Sequence, residues 1–321
     1  MTETAPIRIG VSACLLGAEV RFDGQHKRDR FLTDDLAAFV EWVSVCPEVE
    51  VGMGIPREAV RLVRAPGRTL MLGNNSGQDW TDRMEAVATS RVEALADRGL
   101  CGYVLKSNSP SCGMERVKLY EGTEAGAHVE RTGVGLFAAA LLRRYPTLPV
   151  EEEGRLHDAR LRENFIERVF AYERLQRLWS KEFSTGDLVA FHTREKMALL
   201  AHSVDGYREL GRLVAGAKGM PRAELQQQYE AKFMAVLKTL ATPGRHANVL
   251  MHMLGHVSDH LEAGDRAELL ALIEDHRKEL VPLIVPVTLM RHHVRRLNVT
   301  YLLGQSYLEP HPKELMLRNH V

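Results

Sequence analysis

Cysteines stand at positions 14, 46, 101 and 112, and three of them lie in turn-forming surroundings. Cys14 sits in SACLLG, Cys46 opens CPEVEVGMGIPRE, and Cys112 ends the polar loop KSNSPSCG. Such a turn uses proline and glycine for backbone reasons and has no need of a thiol. Cys101 differs, because it lies inside the apolar run LCGYVL, where a free cysteine behaves as a small buried hydrophobe. Three loop thiols with an open fourth position suit zinc carrying a water. They equally suit an iron–sulfur cluster in which one iron lacks a protein ligand. No two of the three are close in sequence, so spacing does not choose between these centres, nor against three unrelated buried cysteines. It does exclude a zinc ribbon built on two CxxC pairs.

For remote loops to meet, the elements between them must bring their ends together. The first half alternates strand-like and helix-like segments. IRIGVSA reads as a strand ending at Cys14, and TDDLAAFVEWV (Thr33 to Val43) reads as a capped helix. VRLVRAPGRTLML reads as two strands around a turn, DWTDRMEAVATSRVEALADRG as a long helix, GYVLKS as a strand and VGLFAAALLRRY as a helix. This predicts an α/β fold, a Rossmann-like domain with a mainly parallel sheet. In such a sheet ligands bind beyond the carboxyl ends of the strands. Cys14 and Cys112 should therefore face that crevice, while Cys46 is expected between a helix and the next segment.

YPTLPVEEEG (Tyr145 to Gly154) reads as a linker, and beyond it the apolar period becomes helical. LRENFIERVFAYERLQRLW, DLVAFHTREKMALLAHS, PRAELQQQYEAKFMAVLKTL and RAELLALIEDHRKEL each carry an apolar stripe. The expected domains are 1–147 and an all-α domain, 155–321. Acidic and basic residues balance at 42 each. By count from the sequence, residues 1–150 hold 18 basic and 19 acidic residues, and residues 151–321 hold 24 and 23. Any nucleic-acid site must then be a local patch. MTETAPIRIG lacks a basic stretch followed by an apolar one, and no apolar run nears the roughly 20 residues that span a bilayer. A cytoplasmic chain with reduced thiols and no membrane partner is expected.

SACLLGAEVRFDG, CPEVEVGMGIPRE and KSNSPSCG together resemble the TudS family of thiouracil and thiouridine desulfidases. LVAFHTREKMALLAHS, NVLMHMLGH, PLIVPVTLMRHHVRRL and YLLGQSYLEPHPKEL resemble the YbgA-like helical domain found fused to it. The combination is similar to RudS-type enzymes acting on 4-thiouridine in transfer RNA. The resemblance implies a 4Fe-4S cluster held by Cys14, Cys46 and Cys112, with one open iron for the substrate sulfur. It also implies catalytic roles for Glu48 and Ser109. Arg21, Asp23, Lys106 and Ser111 are secondary candidates for the substrate site, each with a plain turn or surface role as its alternative.

The helical domain is expected to hold transfer RNA, through Arg208, Arg212, Lys218 and Arg222 and through Arg291, Arg295 and Arg296. Ordinary charged helix faces are the alternative reading. His252, His256 and His260 recur every four residues, which is ligand-like spacing, although a straight helix rarely turns three such imidazoles onto one ion. Glu195, and the residue after Gly255, depart from the pattern of the helical domain. Two further functions stay open: desulfuration of a free thiolated base or nucleoside, and a non-catalytic metal- or redox-sensing RNA-binding protein.

Overall fold

The computed structural model describes residues 6–124 and 126–321. It divides into two compact units, Met1–His157 and Asp158–Val321. In the first unit the strands are β1 (Ile7–Ser12), β2 (Val40–Val45), β3 (Val60–Ala65), β4 (Arg68–Gly73), β5 (Leu100–Leu105), β6 (Val117–Tyr120), β7 (Val129–Gly133) and β8 (Val150–Glu152). Its α-helices are α1 (Pro47–Glu50), α2 (Thr81–Ala94) and α3 (Leu136–Arg144).

Two four-stranded sheets result, in the orders β2-β1-β5-β8 and β4-β3-β6-β7. The first is parallel throughout. The second is mixed, with β3 antiparallel to β4, parallel to β6, and β6 antiparallel to β7. The mainly parallel sheet is the first one, and the two antiparallel pairs are confined to the second. The polar VERTG of β7 and the short VKLY of β6 carry little apolar alternation, and pairing with their neighbours makes them strands.

Thr33–Val43 is not one helix. A π-helical turn covers Phe31–Leu36, and from Val40 the chain is strand, paired with β1 from Ile7↔Val40 to Ser12↔Val45. The valines and tryptophan of VEWVSV suit a pleated surface, and this tertiary pairing overrides the local helical spacing. The expected linker is also structured in part. Val150–Glu152 form β8 beside β5, and Glu151, Glu152 and Glu153 are buried rather than solvated. Between β1 and β5 the fit is close: a Cβ on Gly10 would lie 2.1 Å from the Tyr103 ring, which packs on Phe137.

The second unit is helical: α4 (Ala159–Trp179), α5 (Thr185–His202), α6 (Val204–Ala215), α7 (Arg222–Lys238), α8 (Pro243–Val257), α9 (Ala263–Arg277), α10 (Ile284–Arg296) and α11 (Thr300–Leu303). Ser184 and Asp187 form a reciprocal capping box at the start of α5. Leu250, Met253, Met290 and Tyr307 are fully buried in its core, each large apolar side chain adding about 1.5–3 kcal/mol. Glu195, which departs from the expected pattern, is fully buried and compensated. Arg174 binds it at 2.7 and 3.0 Å, and Ser306 Oγ donates to it at 2.7 Å. No helix among the described residues is long and apolar enough to cross a membrane.

Candidate active site

β1, β2 and β5 lie side by side and run the same way, so the chain leaves their carboxyl ends on one edge of the sheet. Cys14 is two residues beyond β1, Cys46 directly follows β2, and Cys112 closes the loop after β5. Cys46 therefore follows a strand, where the sequence had suggested a position after a helix. All three thiols line one cavity of about 610 Å³, a size usual for small-ligand sites (about 300–1,000 Å³). Cys101 lies in β5, directs Sγ toward the Gly99 carbonyl at 3.8 Å, and does not line the cavity.

The Cys112 loop is held from several sides. Cys112 N donates to Ser109 Oγ at 3.1 Å, and Gly113 N to the Ser109 carbonyl at 2.8 Å. The first turn of α3 covers it: Leu136 N donates to Pro110 O, while Phe137 N and Ala138 N donate to Ser111 O. Only a glycine fits at 135, since a Cβ there would stand 2.5 Å from the backbone of Ser111. The buried acids around β8 grip both ends. Glu153 accepts from Lys106 Nζ at 2.5 Å and Ser107 N at 2.7 Å, and Glu152 accepts from Met114 N at 2.8 Å.

Glu48 enters the same cavity from α1, next to Cys46. Arg57 donates to its Oε2 at 2.6 and 3.1 Å, and Ser111 Oγ donates to its Oε1 at 2.6 Å. Ser109 stands farther off, at 3.5 Å from Oε1, and is bonded to Ser111 Oγ at 2.9 Å. The serine in close contact with the carboxylate is thus Ser111, and Ser109 backs it. Arg57 also donates to the Val20 and Gly54 carbonyls. Arg21 and Lys106 line the cavity; Asp23 does not, and pairs with Arg21 at 3.3 Å.

Burial pushes the Cys14 thiol up to about 11, with the nearby Cys46 adding to it. Burial pushes Cys112 up to about 12, opposed by hydrogen bonds from Ser12 and Ser111 and reinforced by Glu48 and Cys46. Cys46 is raised chiefly by burial as well. The thiols are therefore close enough to feel one another, and the cations beside them, Lys106 and Arg21 at Cys14 and Arg57 at Cys46, offset the burial only in part. Among the described residues, no three His, Cys, Asp or Glu side chains converge on a single metal ion. Around a cluster each thiolate binds a different iron, so the sulfurs stand further apart than on one zinc. The donor set fits the cluster better, and no other cysteine and no histidine lines the cavity.

The helical unit gathers less. Arg208 pairs with Asp205, Arg222 with Glu182, Arg291 and Arg295 with Glu309, and Arg296 with Asp265. Arg212 and Lys218 are exposed. The two clusters are laced with acids, the pattern of ordinary charged helix faces. His252 and His256 are exposed on α8, but the helix ends at Val257 and His260 falls in the following turn, which breaks the stripe.

Sequence reasoning missed Arg57, Ser12, Glu152, Glu153 and Gly135. Arg57 stands inside the quoted GIPRE stretch, nine residues after Glu48 in the same cysteine loop, and that shared loop was the available signal. The others act through tertiary contacts that carry no local pattern.

Both units of the chain are similar to known proteins. Residues 9–153 match the family described as 2-thiouracil desulfurase, and residues 196–312 match a protein family of unknown function, DUF1722. The chain is 34% identical over 153 residues to the uncharacterized protein YbgA of Escherichia coli K12, covering 47% of this chain and 90% of that protein. It is 32% identical over 142 residues to the uncharacterized protein YbbK of Bacillus subtilis 168, covering 42% and 88%. Among solved structures, a 4Fe-4S-dependent thiouracil desulfidase, TudS, is 34% identical, with 47% of this chain and 94% of that one covered and a TM-score of 0.39. The chain belongs to the 2-thiouracil desulfurase family, as a TudS-type domain joined to a YbgA-like one.

Proposed function

We propose that this chain is an iron–sulfur desulfidase that removes the sulfur of a thiolated uracil, with 4-thiouridine in transfer RNA as its substrate. The observation that carries this is the meeting of Cys14, Cys46 and Cys112 at the ends of three adjacent parallel strands, around a cavity with no fourth thiol or imidazole. These three residues would hold a 4Fe-4S cluster. When bound, the cluster supplies a thiophilic iron that draws electron density from a thiocarbonyl.

The remaining chemistry belongs to the side chains. Replacing C=S by C=O consumes one water and releases hydrosulfide and a proton, with no net change in oxidation state. Glu48 is the group that takes the proton of the attacking water. Arg57 fixes one of its oxygens and Ser111 the other, so the carboxylate is aimed before the substrate arrives. Ser109, bonded to Ser111 and to Cys112 N, relays a proton toward the ring nitrogen or positions the base. No electron donor enters the scheme.

Support for a nucleic-acid substrate comes from charge. Seven arginines and lysines line the cavity, against the single carboxylate of Glu48, in a chain whose charges balance. Three of the seven are neutralised, Arg57 by Glu48, Arg21 by Asp23 and Lys106 by Glu153, which leaves Lys27, Arg61, Lys118 and Arg131 for a phosphate backbone. The test is sulfide release under anaerobic conditions from thiolated transfer RNA and from free 4-thiouracil, with the uracil product counted. The proposal expects sulfide and product in equal amounts without added reductant, and faster turnover on RNA. Preference for the free base would favour the second reading. Cluster binding without sulfide release would favour a redox-sensing role, and an absolute need for an electron donor would refute hydrolysis.

A further inference from the structure

The thiols occupy one side of the cavity, and the second sheet supplies another. Arg61 on β3, Lys118 and Tyr120 on β6, and Arg131 on β7 all line it. The register brings these residues together. Leu62 pairs with Leu119 and Val63 with Tyr120, so Arg61 and Lys118 are neighbours on adjacent strands. Val117 pairs with Gly133 and Leu119 with Glu130, which sets Lys118 against the segment holding Arg131. Leu62 and Leu119 are buried in the core, so alternation turns Arg61 and Lys118 to the opposite face.

The two faces of this sheet are charged in different ways. On the core side, Arg64 is neutralised by Glu121 at 2.7 Å and Glu130 at 2.9 Å. On the cavity side, neither Lys118 nor Arg131 forms an ion pair among the described residues, and both are exposed. Arg61 is steadied by the Thr123 carbonyl at 2.8 Å and lies over the Tyr120 ring at 5.2 Å. Its Nε is buried without a hydrogen-bond partner. An unpaired row of cations beside an aromatic ring, at the rim of a cavity, is the make-up of a surface that tracks a single-stranded backbone and stacks a base.

We infer that Arg61, Lys118, Tyr120 and Arg131 form a phosphate-binding wall, which grips the RNA backbone flanking the thiolated nucleotide within the desulfidase unit itself. This rests on the reading of the chain as a desulfidase of thiolated RNA, and gives the main RNA contact to the second sheet rather than to the arginines of the helical unit. Ribose phosphates one or two nucleotides from the reacting base would lie along the row, while Tyr120 offers a ring to a neighbouring base.

The experiment uses the full chain with Lys118→Glu and Arg131→Glu combined, both at exposed positions, with folding checked by circular dichroism. Fluorescence anisotropy of a labelled single-stranded oligouridine reads binding independently of turnover. The double variant should weaken binding about tenfold at 100 mM salt and flatten the salt dependence by about one to two units of log–log slope. In turnover, the ratio of kcat/KM on thiolated RNA to that on the free nucleoside should fall by a similar factor. Arg291→Glu with Arg295→Glu in the helical unit should change these values far less. Unchanged oligonucleotide binding in the Lys118 and Arg131 variant, or an equal loss on both substrates, overturns the wall. Absence of sulfide release by the cluster-loaded parent would sink the desulfidase reading instead, and the binding measurement would still decide the wall.

Discussion

Removing the Arg57 guanidinium tests how the proposed base is held. Arg57 and Glu48 are largely withdrawn from water, with side chains 5% and 15% exposed. The Arg57→Met substitution deletes two bonds to Glu48 and one each to the Val20 and Gly54 carbonyls, at nearly constant volume. A charge-assisted hydrogen bond contributes about 1.5–3 kcal/mol, and stranding one partner of a buried pair costs about 3–5 kcal/mol. The Ser111 bond to Glu48 survives, so the expected loss is about 3–4 kcal/mol, a large share of a typical 5–15 kcal/mol stability. Glu48→Gln should cost a comparable amount, because it strands Arg57 in turn. If the two act through one another, the double variant is less damaged than the summed singles, by about 1.5–3 kcal/mol. Two units need not unfold together, so a single midpoint would mix them. Amide exchange of β1 and β5 in rising urea isolates the first unit. Costs that add within about 0.5 kcal/mol would refute the coupling.

Gly135→Ala should drive a methyl group into the Ser111 backbone, which cannot rotate away. A cost of about 1–3 kcal/mol and a several-fold drop in bound iron per chain are expected, read by thermal melting and iron analysis; a variant equal to the parent in both would contradict the account of the loop. Acid should weaken the helical unit through its buried histidines. Burial, with Lys196 adding to it, lowers His192 from 6.5 to about 4, and burial lowers His246 and His276 as well. The unfolded chain binds these protons near pH 6.5 and the folded chain only lower down. Stability is thus full above about pH 6.5 and falls as pH drops toward 4, by at most about 3 kcal/mol for His192. Urea midpoints at pH 7.5 and 5 measure this, and His192→Gln should flatten part of the difference; an unchanged slope in that variant would contradict it.

The site was more legible than the scaffold around it. Cysteine and glycine in three short loops, two of them with proline, stand out together, and strand IRIGVSA led directly to Cys14. The helical unit was readable because a long apolar stripe has a 3.6-residue period that few other structures share. β2 was not, since VEWVSV permits either period and only its pairing with β1 decides. β6, β7 and β8 are short and polar, so their strand character comes from neighbours. Glu152 and Glu153 read as part of a linker because burial depends on what folds over them. The cationic wall was invisible for the same reason: Arg61, Lys118 and Arg131 are distant in sequence and meet only through the register of the second sheet.

The central claim is that three thiols from the ends of β1, β2 and β5 hold one cluster. Its most direct test is iron and sulfide content per chain after anaerobic purification, for the parent and for single Cys→Ser variants at 14, 46, 101 and 112. The account predicts about four irons and four sulfides in the parent, the same after Cys101→Ser, and loss of both after substitution of Cys14, Cys46 or Cys112. A full complement retained after any of those three substitutions, or a single zinc in place of iron and sulfide, would contradict it.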